Sequence, residues 1–498
     1  MKERNPWHSP ATIIITVIGV IAVVALVTVI VLQNREIPQK YKYGIVMDAG
    51  SSHTSLYIYR WPAEKENNTG RVEEMHSCQV AGPGISSYAS APWKAGESLR
   101  ACMREAEQQV PQRRHQQTPL YLGATAGMRL LRSDHGEQLG GGGGAAGGGG
   151  KPARVLLLLP GLPNAEGPGG GRLRLGHHQL PGRAPRTGEC FQPRPPGDRP
   201  PHQTLLQGLE TTGALDLGGA STQISFVSDH FDGSESPDNS MVFRLYGNDY
   251  SLYTHSFLCY GKDQALRLAL AHQTQDAPVT LLDPCFHPGY EASKDYSAVY
   301  DSPCVSSRRP QGAPLNFTHK GAGNFAQCQK VIRSIFNSSS CSHSRCSFNG
   351  VFQPPLQGKF GAFSAYYFVM DFLNLTDTSL PLETVKRELA RYCSNSWDQV
   401  KQQHPAVKVK YLAAYCFSGT YIITLLTDGY NFSSESYSSI KFIKKIRGSD
   451  AGWTLGYMLN LTNMIPAEAP DSPPLPQAGY ASLVTLMVLV LAVVLLLL

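Results

Sequence analysis

Two long apolar runs lie near the ends of the chain, at residues 12–32 and 481–498, and neither contains a charged side chain. A helix over the 21 residues of the first run, at about 1.5 Å per residue, crosses a bilayer core of roughly 30 Å. A cleaved signal peptide is the alternative, but the run is long for one and residues 31–35 offer no small-residue cleavage site. The second run also predicts a span. Because it reaches Leu498 with no polar tail, it leaves open whether the chain continues.

Two segments between these runs share one pattern of apolar and polar positions. Residues 45–55 and 214–224 each start with an apolar run that meets an aspartate, Asp48 or Asp216, and continue through glycine and hydroxyl residues into a second apolar run. The pattern predicts a strand, a tight turn and a strand. Glycine lets successive amide groups point into one concavity that suits phosphate, and a strand-end aspartate suits a divalent cation. An ordinary turn with a capping aspartate is the alternative for either segment alone, and the repetition favours phosphate.

Other apolar patterns predict the elements around these turns. Residues 95–109 have the spacing of an amphipathic helix, and residues 119–122 that of a strand. The apolar runs 360–373 and 411–426 predict buried helices.

Cysteines and glycosylation sequons indicate a secretory route. The chain has 11 cysteines, with no CxxC pair and no Cys/His zinc spacing. This composition favours disulfides, whose connectivity cannot be deduced from the sequence alone. The region between the apolar runs should therefore face the outside of the cell, with both chain ends inside. Six Asn-x-Ser/Thr sequons lie in this region, at Asn67, Asn316, Asn337, Asn374, Asn431 and Asn460.

The charge of the chain argues against a nucleic-acid partner. The net charge of +6 is small for 498 residues. No basic stripe with interleaved aromatic residues is present in the sequence.

Four motifs resemble the signatures of the ecto-nucleoside triphosphate diphosphohydrolases, the ecto-apyrases, in the actin, heat-shock chaperone and sugar kinase superfamily. They are the Asp-Ala-Gly-Ser-Ser-His-Thr-Ser of residues 48–55, residues 122–129, the Asp216 turn and residues 449–459. The resemblance covers residues 41–466 with one gap. It implies an α/β fold of two actin-like, ribonuclease H-like lobes between two transmembrane helices. The implied order is a cytosolic N-terminus (1–11), a helix (12–32), lobe I (41–170), lobe II (202–440), a return to lobe I (441–478) and a helix (481–498).

The resemblance also implies a reaction and the residues that carry it. The reaction is the hydrolysis of extracellular ATP and ADP to the monophosphate by an activated water. Asp48 and Asp216 would hold Ca²⁺ or Mg²⁺, largely through waters. Thr125 would contact the phosphate, and Ser221 and Gln223 would position the water. The phosphate cradle would be formed by Ser51, Ser52, His53, Gly218, Gly219 and Ala220.

Two further implications concern the base and the setting of the protein. Phe368 and Tyr415 would sandwich the nucleotide base, and the alternative for both is ordinary core packing. The implied setting is the plasma membrane, with two spans and an N-glycosylated extracellular catalytic domain, and a homo-oligomer stays open. The implied disulfides are Cys78–Cys102, Cys259–Cys304, Cys285–Cys328, Cys341–Cys346 and Cys393–Cys416, which leave Cys190 over.

The gap in the resemblance falls where the sequence changes character. Residues 133–201 are rich in glycine, proline and arginine without an apolar period, which is the composition of a linker or a disordered segment. The third family signature, whose second glutamate activates the water, belongs here and is absent. Residues 167–181 can be encoded so that reading one base later gives Gly-Gln-Glu-Glu-Gly-Ala-Ser-Gly-Trp-Val-Thr-Ile-Asn-Tyr-Leu. We infer that 133–201 are a wrong-frame translation. Glu166 is a poor substitute for the missing base because it precedes the recovered glutamate codons.

Three functions therefore compete. The first is a cell-surface nucleotidase that acts on ATP and then on ADP. The second is a nucleotide-binding or adhesion ectodomain without catalysis, because the printed chain lacks the glutamate. The third, an intracellular sugar kinase of the same superfamily, conflicts with the two spans and the six sequons.

Overall fold

The computed structural model of the chain describes residues 10–35, 39–65, 71–131, 211–229, 231, 233–245, 248–337, 339–463, 465–469 and 474–497. Residues 133–201, and Glu166 and Cys190 within them, lie outside the described residues. The chain divides into two units. One comprises Met1–Lys42, Trp61–Arg71 and Ile465–Leu498, and the other comprises Tyr43–Arg60 and Val72–Met464.

The described strands and helices are numbered here in chain order. The strands are β1 (Tyr41–Ala49), β2 (Thr54–Pro62), β3 (Glu73–Gln79), β4 (Leu120–Ala124), β5 (Thr212–Leu217), β6 (Ser221–Val227), β7 (Ser240–Leu245), β8 (Asn248–Leu258), β9 (Thr280–Asp283), β10 (Glu291–Asp295), β11 (Asn316–Gly321), β12 (Lys359–Ser364), β13 (Ile440–Phe442), β14 (Lys445–Ile446) and β15 (Ser449–Asp450). The helices are α1 (Pro10–Gln33), α2 (Pro92–Gln109), α3 (Ala126–Arg129), α4 (Lys262–Gln273), α5 (Tyr296–Tyr300), α6 (Phe325–Ser334), α7 (Ala365–Phe372), α8 (Leu382–Ser394), α9 (Trp397–Gln403), α10 (Val409–Leu412), α11 (Tyr415–Thr424), α12 (Ser434–Tyr437), α13 (Trp453–Thr462) and α14 (Gln477–Leu497).

The first unit contains the two apolar helices α1 and α14. Both are long and apolar enough to cross a membrane, and most of their side chains are exposed rather than packed in a protein core. They pack on one another where Gly19 meets Val494, since a Cβ on Gly19 would lie 2.9 Å from Val494 Cγ1. The predicted spans are thus two candidate membrane helices.

The pattern around Asp48 folds as predicted, into β1, a turn and β2. These strands belong to a four-stranded sheet with the order β3-β2-β1-β4. Strand β4 runs parallel to β1 and pairs Gly123 with Asp48 and Ala124 with Ala49. The motif of residues 122–129 therefore lies beside the Asp48 turn. Helix α13, from the last motif, packs on this sheet through Tyr59 and Thr454, whose hydroxyls lie 2.8 Å apart.

The pattern around Asp216 also folds as predicted, into β5, a turn and β6. Both strands lie in a six-stranded sheet with the order β13-β12-β5-β6-β8-β7. Strands β5, β12 and β13 are parallel, whereas β6, β8 and β7 form an antiparallel extension. Each predicted phosphate turn thus has its own sheet, which fits the two-lobed fold. The lobe boundaries stay a prediction.

One of the predicted buried helices is wrong over its first part. Residues 359–364 form strand β12 in the middle of the second sheet, and helix α7 begins only at Ala365. Parallel strands buried on both faces are continuously apolar, so their sequence cannot be told from that of a buried helix. The run 411–426 is helical, as α10 and α11.

Helix α11 lies in the core of the larger unit, and every residue from Cys416 to Thr424 is buried. A helix that is apolar all round belongs inside a protein or a membrane. The disulfide Cys393–Cys416 joins it to α8. The disulfides in the described residues agree with the implied pairing: Cys78–Cys102, Cys259–Cys304, Cys285–Cys328, Cys341–Cys346 and Cys393–Cys416.

Candidate active site

The two glycine turns meet one another. A Cβ on Gly219, in the second turn, would lie 2.8 Å from the Oγ of Ser51 and 3.5 Å from the Cβ of Ser52, both in the first turn. On the other side of the first turn, a Cβ on Gly127 would lie 2.8 Å from Ser51 Cα. A side chain at Gly219 would therefore require the Ser51 hydroxyl to move. The structure brings together the predicted cradle residues of both turns.

Hydrogen bonds hold the second turn from one side. The backbone N–H groups of Lys262 and Asp263, at the start of α4, donate to the carbonyls of Gly218 (2.8 Å) and Gly219 (2.9 Å). The N–H groups of Gly219 and Ala220 donate to no acceptor among the described residues. Free amide groups in a glycine turn are suited to receive an anion.

The first turn also offers backbone amides that could receive an anion. The N–H groups of Ser51 and Ser52 also have no acceptor among the residues that the structure describes. His53 Nδ1 lies 3.0 Å from Ser52 Oγ. Burial lowers the pKa of His53, and the charge of Asp263 opposes this shift. The imidazole is thus held close to Ser52, in the turn that carries the free amides.

The two aspartates lie near one another at the ends of β1 and β5. Burial raises the pKa of Asp48 to about 7, the charge of Asp216 adds to the shift, and the nearby indole of Trp453 opposes it. Burial also raises the pKa of Asp216, against hydrogen bonds from the Ser364 hydroxyl and the Leu217 amide. Buried like charges disfavour ionisation unless a cation compensates them.

These carboxylates fit a hard divalent cation. The Oδ1 of Asp48 is buried and has no hydrogen-bond partner in the described part of the chain. The described residues contain no group of three or more His, Cys, Asp and Glu side chains that could bind a metal by themselves. A cation at Asp48 and Asp216 would therefore take its remaining ligands from water and from nucleotide phosphates, as Mg²⁺ commonly does. Ca²⁺, which needs more oxygen ligands, stays an alternative.

The residues predicted to hold the water lie on β6. Gln223 pairs with Asp216 across the β5–β6 ladder. Its Nε2 donates to Ser221 Oγ at 2.5 Å and to Ser256 Oγ at 2.8 Å. Ser221 and Gln223 are thus joined directly, at the end of β6 next to the second turn.

Thr125 lies at the N-terminus of α3, where its backbone N–H donates to Ala49 O at 3.2 Å. It therefore adjoins the first turn. Its helix ends at Arg129, whose Nη2 donates to Ser256 Oγ at 2.9 Å. This contact links the short helix after the first sheet to strand β8 of the second sheet.

Sequence reasoning gave no role to Arg129, Ser256 or Asp263. Arg129 closes the Gly-Ala-Thr-Ala-Gly-Met-Arg motif, so its place one helical turn after Thr125 was a usable signal. Asp263 directly follows Gly261 and Lys262 at a helix start. Ser256 offered no signal, because its role depends on the register between β6 and β8.

Phe368 and Tyr415, which are predicted to sandwich the base, lie on α7 and at the start of α11, and each contacts another aromatic ring. Phe368 is 56% exposed and contacts the neighbouring ring of Tyr367. Tyr415 stacks instead on Phe372, with ring centres 3.7 Å apart and planes 8° from parallel. Phe372 lies one helical turn after Phe368 on α7. The exposed ring of Phe368 and the Phe372–Tyr415 stack therefore lie on neighbouring surfaces of α7 and α11.

Comparisons with known proteins agree with the motifs. Residues 34–140 and 202–474 match the GDA1/CD39 (nucleoside phosphatase) family. The chain is 47% identical over 490 residues to ectonucleoside triphosphate diphosphohydrolase 1 of Mus musculus, with 97% of this chain and 93% of that protein covered. It is 45% identical over 443 residues to ectonucleoside triphosphate diphosphohydrolase 8 of Homo sapiens, with 87% and 85% covered.

A solved structure also confirms the mixed α/β fold. The chain is similar to a nucleoside triphosphate hydrolase of Neospora caninum, with a TM-score of 0.54 and 13% identity over 94% of this chain and all of that one (100%). The family that the motifs predicted is confirmed. The chain belongs to the GDA1/CD39 (nucleoside phosphatase) family, as do the ectonucleoside triphosphate diphosphohydrolases that it resembles.

Proposed function

We propose that this chain, with its reading frame restored, hydrolyses nucleoside tri- and diphosphates such as ATP and ADP at the cell surface, in a reaction that depends on Mg²⁺ or Ca²⁺. The observation that carries the proposal is the meeting of two aspartate-ended glycine turns. Ser51 of one turn touches Gly219 of the other, and both turns carry amides without an acceptor among the described residues. The names of the relatives, which are nucleoside triphosphate diphosphohydrolases, support nucleotides as the substrate class of such a site.

Each turn has a distinct task in this proposal. The amides of residues 51–52 and 219–220, with the hydroxyls of Ser51 and Ser52, His53 and the small residues Gly218 and Ala220, hold the phosphate oxygens. Asp48 and Asp216 hold the cation, which supplies neutralisation of the charge on those oxygens. Thr125 contacts the phosphate under attack. Ser221 and Gln223 hold the water in line with the bond that breaks.

The proposed base site uses Phe368 and Tyr415. An exposed aromatic ring is available for stacking, and stacking without edge contacts tolerates every base. The proposal needs Tyr415 to present a face to the base although it already stacks on Phe372. Phe372 then supports Tyr415 from behind.

The printed chain lacks the glutamate that would act as the general base. The family match leaves residues 141–201 uncovered, between two long matched stretches. This interval contains residues 167–181, which can be encoded so that the shifted frame reads as the glutamate-bearing signature. We therefore propose that the frame is wrong within the interval between Arg132 and Gly213, and that correcting it restores the glutamate.

A second candidate function follows from the printed sequence. Without the glutamate, the two turns and Phe368 would still offer a phosphate cradle and a stacking surface. The literal chain would then bind nucleotide without hydrolysing it. Measuring activity with and without the restored frame separates the two candidates.

The proposed setting has both apolar helices in the plasma membrane and the larger unit outside, N-glycosylated at its sequons. The relatives carry the prefix ecto in their names. Disulfides such as Cys285–Cys328 suit the oxidising secretory route.

The test uses the frame-restored full chain in membranes, with Asp216→Ala, Asp216→Asn and the exposed Asp276→Ala as a matched control. Loss of one element of charge stabilisation should lower the rate at least ~100-fold. Both changes at Asp216 should therefore abolish cation-dependent release of phosphate from ATP and ADP, while surface expression persists. Asp276→Ala should behave as the parent chain does. Near-normal activity of Asp216→Ala would remove this residue from the site.

A further inference from the structure

We propose that Ser256 is a positioning residue for this reaction, which fixes the amide of Gln223 and connects it to Arg129. The inference rests on the proposed function, in which Gln223 holds the attacking water. Ser256 lies on β8 directly opposite Gln223 on β6. It is partly buried, one strand away from the Asp216 turn.

The hydrogen bonds of Gln223 set the direction of its amide. A glutamine has two N–H donors on its nitrogen and one carbonyl acceptor. The Nε2 group donates both to Ser221 Oγ (2.5 Å) and to Ser256 Oγ (2.8 Å). Both donors are then committed, so Oε1 is the group left to accept a hydrogen from water. Without Ser256 the amide keeps one anchor and can rotate.

Arg129 holds Ser256 in turn. Its Nη2 donates to the same Oγ at 2.9 Å. A guanidinium has donors only, so the serine oxygen must accept from it, and both lone pairs of that oxygen are then occupied. The oxygen thus has a fixed position between an arginine and a glutamine. Because Thr125 immediately precedes α3 and Arg129 is the last residue of that helix, the water and the phosphate contact are tied to one short helix.

The neighbouring residue on β8 does not compete for these groups. His255 Nδ1 lies 2.7 Å from Asn239 Oδ1, which can only accept, so the imidazole donates there. Adjacent side chains on a strand point to opposite faces, and His255 is therefore directed away from Gln223. Of these two neighbouring residues, Ser256 is the one that accepts hydrogen bonds from Arg129 and Gln223.

The same two strands supply a matched control. Two register pairs further from the turn, Ser225 Oγ and Thr254 Oγ1 lie 2.7 Å apart. This pair has the same strands, the same face and a similar hydroxyl contact, but no arginine or glutamine. Thr254→Val removes it without touching the proposed machinery.

Steady-state kinetics of ATP hydrolysis by the frame-restored full chain test the proposal. Ser256→Ala should lower kcat on the order of 10- to 100-fold, because a small misplacement of the water has effects of that size, and KM should change by less than about threefold. Ser256→Thr keeps the oxygen and should recover most of the activity. Thr254→Val should match the parent chain in kcat and in thermal midpoint. A raised KM with unchanged kcat in Ser256→Ala would overturn the proposal.

A double mutant separates positioning from general structural damage. If Ser256 acts through Gln223, adding Ser256→Ala to Gln223→Ala should cost nothing further, since residues that act as a unit are not additive. Additive losses would overturn the inference and leave the proposed function standing. Full activity of Gln223→Ala would instead contradict the proposed function itself, as would an inactive frame-restored parent chain.

Discussion

At the scale of single residues, the site contains buried polar groups that have no hydrogen-bond partner among the described residues. Asp48 has a buried oxygen without a partner, and Trp453 beside it has an indole N–H without one among the described residues. Such groups cost free energy in the folded protein when nothing satisfies them. These unpartnered groups are compatible with the cation and phosphate that we propose.

His255 provides a residue-scale test of the arginine network through pH. Burial and the charge of Arg129 lower its pKa to about 4, below its ordinary value of 6.5. Between these values the unfolded chain binds more protons than the folded one, so the free energy of unfolding falls as the pH falls from 6.5 to 4. The expected loss is at most about 3 kcal/mol.

The measurement compares thermal midpoints of the frame-restored chain with those of His255→Gln at pH 7 and pH 4.5. Glutamine can donate to Asn239 but does not titrate in this range. The parent chain should lose more stability than the variant on acidification. Equal losses would mean that His255 is not held neutral by its surroundings.

The sequence indicated which residues could carry chemistry, but it did not indicate how those residues are held together. Asp48 and Asp216 were identifiable because each ends an apolar run before glycine. Their closeness, by contrast, depends on the contact between Ser51 and Gly219. The role of Ser256 depends on the register between β6 and β8, which are separated by residues 228–247 in the sequence. No local sequence pattern encodes that register.

At the scale of elements, turns with special residues were predictable and buried apolar runs were not. Glycine and aspartate mark a turn by their own conformational chemistry. Strand β12 carries no such mark, because burial on both faces removes the alternation that identifies a strand. Its assignment requires the neighbouring strands β5 and β13, which are far away in the sequence.

Helix α7 gives the element-scale prediction. It presents Phe368 to solvent and Phe372 to Tyr415. Base stacking on one aromatic ring contributes about 1–3 kcal/mol, so Phe368→Ala in the frame-restored chain should raise KM for ATP about tenfold with little change in kcat. The effect should be similar for nucleotides with other bases, since stacking does not read base edges.

Trp93→Ala is the control for this change, because Trp93 is a similarly exposed aromatic (63%) on α2 and has no proposed role. Its KM should equal that of the parent chain. An unchanged KM in Phe368→Ala, measured beside this control, would place the base elsewhere.

At the scale of the whole molecule, two features restrict where the chain can work. Two apolar helices, α1 and α14, give it candidate membrane spans at both ends. Ten of its 11 cysteines pair with one another in the described residues, which leaves Cys190 without a cysteine partner in the chain. A lone thiol in an oxidising compartment can attack and rearrange these disulfides.

The wrong-frame hypothesis explains several anomalies through one cause. The family match is lost at residue 141 and resumes at residue 202. Cys190, the glycine-rich composition and the missing glutamate all lie within residues 133–201. Independent substitutions would have to produce each of these separately, whereas a single stretch read in the wrong frame, entered after Arg132 and left before Gly213, produces all of them.

Expression of the two versions of the chain tests this hypothesis directly. The literal chain should reach the cell surface poorly and release phosphate from ATP at background rate, because it lacks the activating glutamate and carries Cys190. Restoring the frame between Arg132 and Gly213, with nothing else changed, should recover both export and activity. The measurement is phosphate release by intact cells, normalised to surface protein. The literal chain with Cys190→Ser serves as the control: it should gain export but no activity. Equal activity of the literal and restored chains would show that the missing glutamate is not the base of this reaction.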